Sequence, residues 1–287
     1  FTDDGSTVTD RDLMRNAMRA AAALGMPVMD HALDPVIAGK GVMHEGAFSQ
    51  RLNLPGIPSL AETTIVSRDI ELSAETGCAV HIQHVSSGES VRLVRDAVAR
   101  GARVTCEATP HHLTLCDADV RTDAPSTKVN PPLRSREDRE AIRTAVREGA
   151  VRAFATDHAP HTAREKNADF STAPFGMIGL ETAVGVTITE LVRPGLMTLA
   201  DWLRMWTLGP AGVLNLPPPG LRPGQAADVV LLDIETPWTV NASGFASRSR
   251  NTPFEGRILT GAAAFTIHGG RLTWNSNDSR IDKHRGI

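Results

Sequence analysis

The stretch VRAFATDHAPHTAREK, residues 151–166, decides the fold. An apolar run typical of a buried strand ends here in an Asp, two His and a Pro within residues 157–161. One interpretation is a polar turn capped by Asp157, with both histidines facing solvent. The other is the end of a barrel strand, where catalytic groups project from the rim. The rest of the chain distinguishes the two.

Helical segments followed by short apolar segments occur four times up to residue 161. This alternation predicts a parallel sheet whose strands are joined by helical crossovers. The chain also opens with FTDDG (1–5), which resembles the end of a strand that begins before Phe1. We therefore expect that an upstream part is absent. The four apolar segments with their polar ends are PVMDH (27–31), CAVHIQHV (78–85), ARVTCEATPHH (102–112) and VRAFATDHAPH (151–161).

Polar side chains lie at or just past the carboxyl end of every predicted strand. A doubly wound sheet would concentrate its site at one switch point, whereas a (β/α)8 barrel collects groups from successive strands. We therefore predict an α/β fold of the TIM-barrel type, represented by its strands 4 to 8. The residues at the predicted rim are Asp3, Asp4, Asp30, His31, His84, Glu107, His111, His112, Asp157 and His158.

The character of the chain changes after about residue 208. LPPPGLRPGQAADVVLLD (216–233) is a Pro/Gly-rich stretch followed by a β-branched run, and GRILTGAAAFTIHGGRLTW (256–274) predicts two further strands. We predict an incomplete hydrolase barrel over residues 1–210 and a small β-sandwich module with a polar, frayed tail over residues 211–287.

Composition excludes several classes of protein. A net charge of −3 gives no electrostatic case for binding nucleic acid or an anionic membrane. No apolar stretch approaches the roughly 18 residues of a membrane-spanning helix. Three widely spaced cysteines without a CxxC motif favour a reducing, cytoplasmic setting over a disulfide framework.

Asp4, His31, His84 and Asp157 are the candidate metal ligands. A single His at a strand end is usually structural, but here imidazoles and carboxylates recur at the same topological position. Mixed ligands of this kind suit zinc or a similar divalent ion. Spacing alone leaves a metal site and a structural role equally open.

The other histidines are predicted to be structural or to lie on the surface. An odd offset from His84 turns His81 to the opposite face of its strand, towards the core. His44 falls in a predicted loop, while His268 and His284 belong to the β module and tail.

The segment STKVNPPLRSRED (126–138) contributes Lys128, Asn130 and Arg134. Two interpretations remain open for it. It is either a rigid loop that enters a helix capped by Ser135, or a substrate loop in which Asn pairs with an amide ring and Arg clamps a carboxylate.

Together these segments resemble the bacterial type I dihydroorotases of the amidohydrolase superfamily. The resemblance covers essentially the whole chain, and KVNPPLR with DHAPH is its most specific part. The segments that carry it are FTDDG, MDHALD, EGAFSQRLNLPGIPSLAE, HIQHVSS, EATPHHL, KVNPPLR, ATDHAPH, GMIGLE, ADVVLLD and SRSRNTPFEG, in residues 1–256.

The resemblance implies reversible cyclisation of N-carbamoyl-L-aspartate to L-dihydroorotate in pyrimidine biosynthesis, with one or two zinc ions. Hydroxide held by the metal attacks the ring amide, and an aspartate is the general acid/base. The implied roles are a bridging ligand for Asp4, ligands of the second zinc for His31 and His84, a ligand of the first zinc and the general acid/base for Asp157, and substrate contacts for Asn130 and His161. His158 is assigned no chemistry.

Two departures from the family pattern accompany the resemblance. The family's N-terminal HxH pair is absent, so we expect this chain to be inactive alone, and Leu33 stands where the family usually has Glu. The alternatives are another cyclic-amide hydrolase, of the allantoinase or hydantoinase kind, and an inactive subunit that scaffolds aspartate transcarbamoylase. A homodimer is the expected assembly.

Overall fold

The structure is a computed structural model and describes residues 1–276. Most of the predicted tail, with His284, lies outside the described residues. The helices are α1 Arg11–Ala23, α2 Pro35–Ala38, α3 Ala47–Leu52, α4 Leu60–Thr76, α5 Gly88–Ala99, α6 Pro110–Thr114, α7 Arg136–Arg147, α8 Ala163–Lys166, α9 Ala183–Thr187, α10 Leu199–Trp206 and α11 Leu208–Val213. The strands are β1 Val28–Asp30, β2 Met43–His44, β3 Gly56–Ile57, β4 Val80–Ile82, β5 Val104–Ala108, β6 Ala153–Phe154, β7 Val229–Thr239, β8 Ile258–His268 and β9 Arg271–Asn275.

The central sheet is parallel and runs in the order β1-β4-β5-β6. Thr2 pairs in parallel with Met29 on the open side of β1, where the carbonyl of Phe1 accepts the Met29 N–H at 2.7 Å. Five chain segments thus lie side by side in the order of the sequence. In a doubly wound sheet the order of the strands reverses at the switch point, whereas the order of these strands does not reverse. The predicted parallel sheet is confirmed.

Crossover helices cover one face of this sheet. α1, α4, α5 and α7 follow one another as packing neighbours. Their apolar residues form the main core with the strands, and that core includes Met18, Leu72, Ile82 and Val94, all fully buried. Ser135 caps α7 by accepting the N–H of Asp138 at 3.1 Å, as predicted.

The second sheet is antiparallel and contains β7, β8 and β9 in that order. β8 packs against α9, and the indole of Trp238 donates to the carbonyl of Gly261 at 3.0 Å. The predicted sandwich is therefore a single three-stranded sheet within residues 1–276, while the domain boundary near residue 210 stays a prediction. The loop position predicted for His44 is wrong, because this residue lies in β2, which pairs in parallel with β3.

No helix in residues 1–276 combines the length and apolarity that crossing a membrane requires.

Replacing Leu72 by Ala is expected to cost about 2–5 kcal/mol in the free energy of unfolding, because the cavity opens in a close-packed core. Leu60 lies on the same helix but is 60% exposed, so Leu60→Ala should change the free energy of unfolding by less than about 0.5 kcal/mol. Urea unfolding of both variants measures the difference. Equal effects would contradict the described packing of α4.

Candidate metal centre

Asp4, His31 and His84 meet at the carboxyl ends of three neighbouring chain segments. His31 follows β1, His84 follows β4, and Asp4 lies just past the bridge at Thr2. Asp4 Oδ1 is 3.9 Å from His31 Nδ1 and 3.6 Å from His84 Nε2. The two imidazole nitrogens are 3.0 Å apart. Both histidines are buried, whereas Asp4 is exposed.

These three atoms fit a zinc ion. Zinc bonds of about 2.0–2.1 Å in tetrahedral geometry place neighbouring ligand atoms roughly 3.3 Å apart. The observed separations of 3.0, 3.6 and 3.9 Å bracket that value. An imidazole–imidazole–carboxylate set also has the chemistry that zinc prefers. The sequence prediction for Asp4, His31 and His84 therefore has a geometric basis.

The pKa shifts of His31 and Asp4 favour cation binding, whereas that of His84 opposes it, because a metal must displace the proton that this imidazole holds. Burial, with the neighbouring His84, lowers the pKa of His31 to about 4, so its imidazole is neutral. Burial opposes the charged form of His84, but Asp4 and the charges of Asp157 and Glu107 outweigh it and raise the pKa. The His84 imidazole lowers the pKa of Asp4, which stays ionised. A carboxylate and a neutral imidazole are the ligand forms that a metal requires.

Asp157 faces this cluster without joining it. It lies past β6 in a left-handed conformation, with φ of 45°. Burial raises the pKa of Asp157, and the charges of Asp4 and Glu107 add to the rise while His84 opposes it. Among residues 1–276 the group of mutually close ligand atoms comprises only Asp4, His31 and His84. The metal and catalytic roles of Asp157 therefore stay predictions.

Asn130 lies against the cluster and has a free oxygen. Its Nδ2 is 3.3 Å from His31 Nε2, so the side chain lies beside a predicted ligand. Its Oδ1 is buried and has no hydrogen-bond partner among residues 1–276. A buried orphaned acceptor is costly and indicates a missing partner such as a ligand N–H.

His161 makes a different set of contacts. Its Nε2 donates to the carbonyl of Phe175 at 2.7 Å, and its backbone N–H is 3.2 Å from Ser249 Oγ. The ring borders a cavity of about 480 Å³ that Lys166 and Arg250 also line. The substrate role predicted for His161 stays a prediction.

The structure decides between the two interpretations of the 126–138 segment for Lys128 and Arg134. Lys128 Nζ donates to the carbonyls of Phe170 at 2.8 Å and Ser171 at 3.1 Å. Arg134 is buried, and its Nη1 donates to the carbonyl of Ile57 at 2.7 Å. Neither side chain is free to clamp a substrate carboxylate, so the rigid-loop interpretation holds for both.

Two other histidines have the structural roles that the sequence indicates. His81 is buried beside Thr105 and Glu107, with ring-nitrogen distances of 2.7 and 3.1 Å. His158 Nδ1 accepts the N–H of Gly179 at 3.1 Å. The core position predicted for His81 is confirmed.

Two buried residues near the site were given no specific role from the sequence, although His111 was placed at the predicted rim. His111 Nε2 is buried without a hydrogen-bond partner and lies 3.9 Å from Asp157 Oδ2. Glu62 on α4 is 1% exposed and holds the loop after His84. The sequence carries no signal for Glu62, because only the packing shows that this position of α4 is buried.

Two curated relatives match nearly the whole of this chain. A dihydroorotase of Pelotomaculum thermopropionicum is 50% identical over 272 residues, and one of a Geobacillus species is 45% identical over 274. These alignments cover 95% and 96% of this chain but only 64% of each relative. The chain thus spans a little under two thirds of the length of the curated relatives it matches.

Solved structures match the fold. The L-hydantoinase of Arthrobacter aurescens superposes with a TM-score of 0.84 at 25% identity, covering 97% of this chain and 64% of that one. The D-hydantoinase of a Thermus species gives 0.82 at 20% identity, with 93% and 61% covered. The model of the amidohydrolase family matches residues 1–272 of this chain. The chain therefore belongs to the amidohydrolase family and has its TIM-barrel-like α/β fold.

Proposed function

We propose that the protein carrying this chain is a zinc-dependent dihydroorotase that interconverts N-carbamoyl-L-aspartate and L-dihydroorotate. The observation that carries the proposal is the cluster of Asp4, His31 and His84, whose ligand atoms lie within 4.8 Å of one another. The two curated relatives described above are named dihydroorotases. The substrate and the reaction are proposed from the similarity to these relatives.

Asp4, His31 and His84 would hold the second zinc ion, and Asp4 and Asp157 would hold the first. A bound zinc ion contributes Lewis acidity, polarising a carbonyl and making water nucleophilic near neutral pH. His31 is suited to this role because burial keeps its imidazole neutral.

Asp157 moves the proton during the reaction. Hydrolysis of the ring adds water to the amide carbonyl and breaks the C–N bond, so one proton must pass from the water to the leaving nitrogen. A carboxylate whose pKa is raised by burial binds that proton more readily than an exposed one. Asp157 takes it at a carboxylate oxygen and returns it to the nitrogen.

Asn130 and His161 orient the substrate. The side-chain amide of Asn130, which lies beside His31, pairs with the amide edge of the dihydropyrimidine ring. The Nε2–H of His161 donates to the carbonyl of Phe175, which leaves Nδ1 as the ring nitrogen that faces the substrate carboxylate.

The chain of 287 residues by itself is proposed to be inactive. Residues 1–276 bring only three ligand atoms into one cluster, and within them the first zinc has only Asp4 and Asp157 as proposed protein ligands. The protein that carries this chain is proposed to be cytoplasmic and homodimeric, with aspartate transcarbamoylase as a candidate partner. The three unpaired cysteines agree with a reducing compartment.

A hydantoinase-like activity is the second candidate, because hydantoinases superpose on this chain with TM-scores up to 0.84. Turnover of hydantoin and allantoin, measured beside that of dihydroorotate, distinguishes the two. An inactive scaffolding subunit would bind no zinc and turn over none of the three.

Replacing His84 by Ala should weaken zinc binding by at least about 100-fold, because residues that only support a ligand already contribute 10- to 100-fold. Competition with a chromophoric chelator measures the affinity. His268→Ala is the matched control, because that ring is 80% exposed in the β module. Equal affinities in both variants would rule out the proposed centre.

Asp157→Asn should lower kcat for dihydroorotate by about 10²–10⁴-fold, the usual contribution of general acid–base catalysis. The assay follows the ultraviolet absorbance of dihydroorotate with the natural-length protein. Asp201→Asn on α10, where the carboxylate is 53% exposed, should leave kcat unchanged. A fully active Asp157→Asn variant would remove this residue from the mechanism.

Asn130→Ala should raise KM for dihydroorotate by roughly 5- to 30-fold, the effect of leaving one buried hydrogen bond unmade. The exposed Asn16 of α1 provides the control variant, Asn16→Ala. An unchanged KM in Asn130→Ala would show that the side-chain amide of Asn130 does not contact the substrate.

A further inference from the structure

The carboxylate of Glu62 is buried directly behind the loop that follows His84. Its Oε1 accepts the backbone N–H groups of Ser86 at 3.1 Å and Ser87 at 3.0 Å. Its Oε2 accepts the hydroxyl of Ser86. One side chain on α4 thus fixes two consecutive backbone groups of the loop.

His84 needs such support because its backbone is strained. It is one of the non-glycine residues with positive φ, at 33°. Strain of this kind persists only where surrounding contacts over-determine the conformation. Three successive N–H groups after His84 are held, since Val85 donates to the carbonyl of Glu107 at 3.0 Å and the next two donate to Glu62.

Arg134 extends this support to the segment that carries Asn130. Its Nη2 is 3.5 Å from Glu62 Oε2, and both side chains are 1% exposed. Its Nε donates to Ser86 Oγ at 3.0 Å. Asn130 lies four residues upstream of Arg134, so the ion pair links the loop after His84 to the segment beside His31.

The pair is ionised despite its burial. Burial opposes ionisation of Glu62, but Arg134 and the Ser86 hydroxyl outweigh it and hold the pKa below its usual value. A buried ion pair adds little net stability compared with apolar side chains of the same volume. Its value to the protein therefore lies in fixing geometry.

We propose that Glu62 and Arg134 are positioning residues that hold His84 in its ligating conformation and Asn130 in register with it. The inference rests on the metal centre of the proposed function. It concerns residues that touch neither the metal nor the substrate, and it adds a dependence of the centre on α4.

The test compares Glu62→Gln with Glu71→Gln in crystal structures of the metal-free protein and in zinc affinity. Glu71 lies on the same helix with its side chain 59% exposed, so its variant should match the wild type in both measurements. Glu62→Gln keeps the shape but loses the charge and one acceptor oxygen. We expect His84 to leave positive φ, the distance from His31 Nδ1 to His84 Nε2 to exceed 3.0 Å, and zinc affinity to fall about 10- to 100-fold.

An unpaired Arg134 could prevent Glu62→Gln from folding. The double variant with Arg134→Gln removes that charge and is measured in the same way. A folded double variant with a displaced His84 supports the proposal. A folded variant of either kind with His84 unmoved and wild-type zinc affinity overturns it, and so does failure of both to fold, which would make the pair a requirement of folding.

The crystal structures separate the two proposals. If the wild-type protein binds no zinc, the proposed function fails, but displacement of His84 in the variant still decides the positioning role.

Discussion

Parallel pairing of β1, β4, β5 and β6 is the constraint on which the site depends. Because all these strands run in one direction, their carboxyl ends meet at one rim. His31 and His84 lie 53 residues apart in the chain, yet the register of β1 with β4 brings their ring nitrogens to 3.0 Å. The bridge between Thr2 and Met29 adds Asp4 to the same rim. Ligand geometry is therefore a consequence of strand direction and register.

A second regularity lies beneath the rim, where a buried arginine–carboxylate group adjoins the chain segment of each histidine of the cluster. Behind His84 it is Glu62 with Arg134. Behind His31 it is Arg68, which donates to Asp30 at 3.1 Å and to Asp69 at 2.8 Å. Burial, with the neighbouring Asp69, raises the pKa of Asp30 to about 11, so this carboxyl holds a proton. Both groups are buried ionic networks, which fix geometry more than they add stability.

Much of the rim could be predicted from the sequence, because the alternation of helical and apolar segments shows where each strand ends and which polar residues lie there. Asp4, His31 and His84 were identified in this way. The role of Arg134 could not be decided, since an arginine in an extended segment is as consistent with a buried structural residue as with one that binds a substrate carboxylate. Glu62 was missed because a carboxylate in a helix is usually solvated, and only packing shows it buried. His44 was misplaced because a two-residue strand leaves no periodic pattern.

X-ray absorption spectroscopy of the zinc-loaded protein tests the central claim most directly. The account predicts two imidazole nitrogens and carboxylate oxygen at about 2.0–2.2 Å from the metal. Zinc bound through sulfur at about 2.3 Å, or coordinated by oxygen alone, would contradict a centre formed by Asp4, His31 and His84.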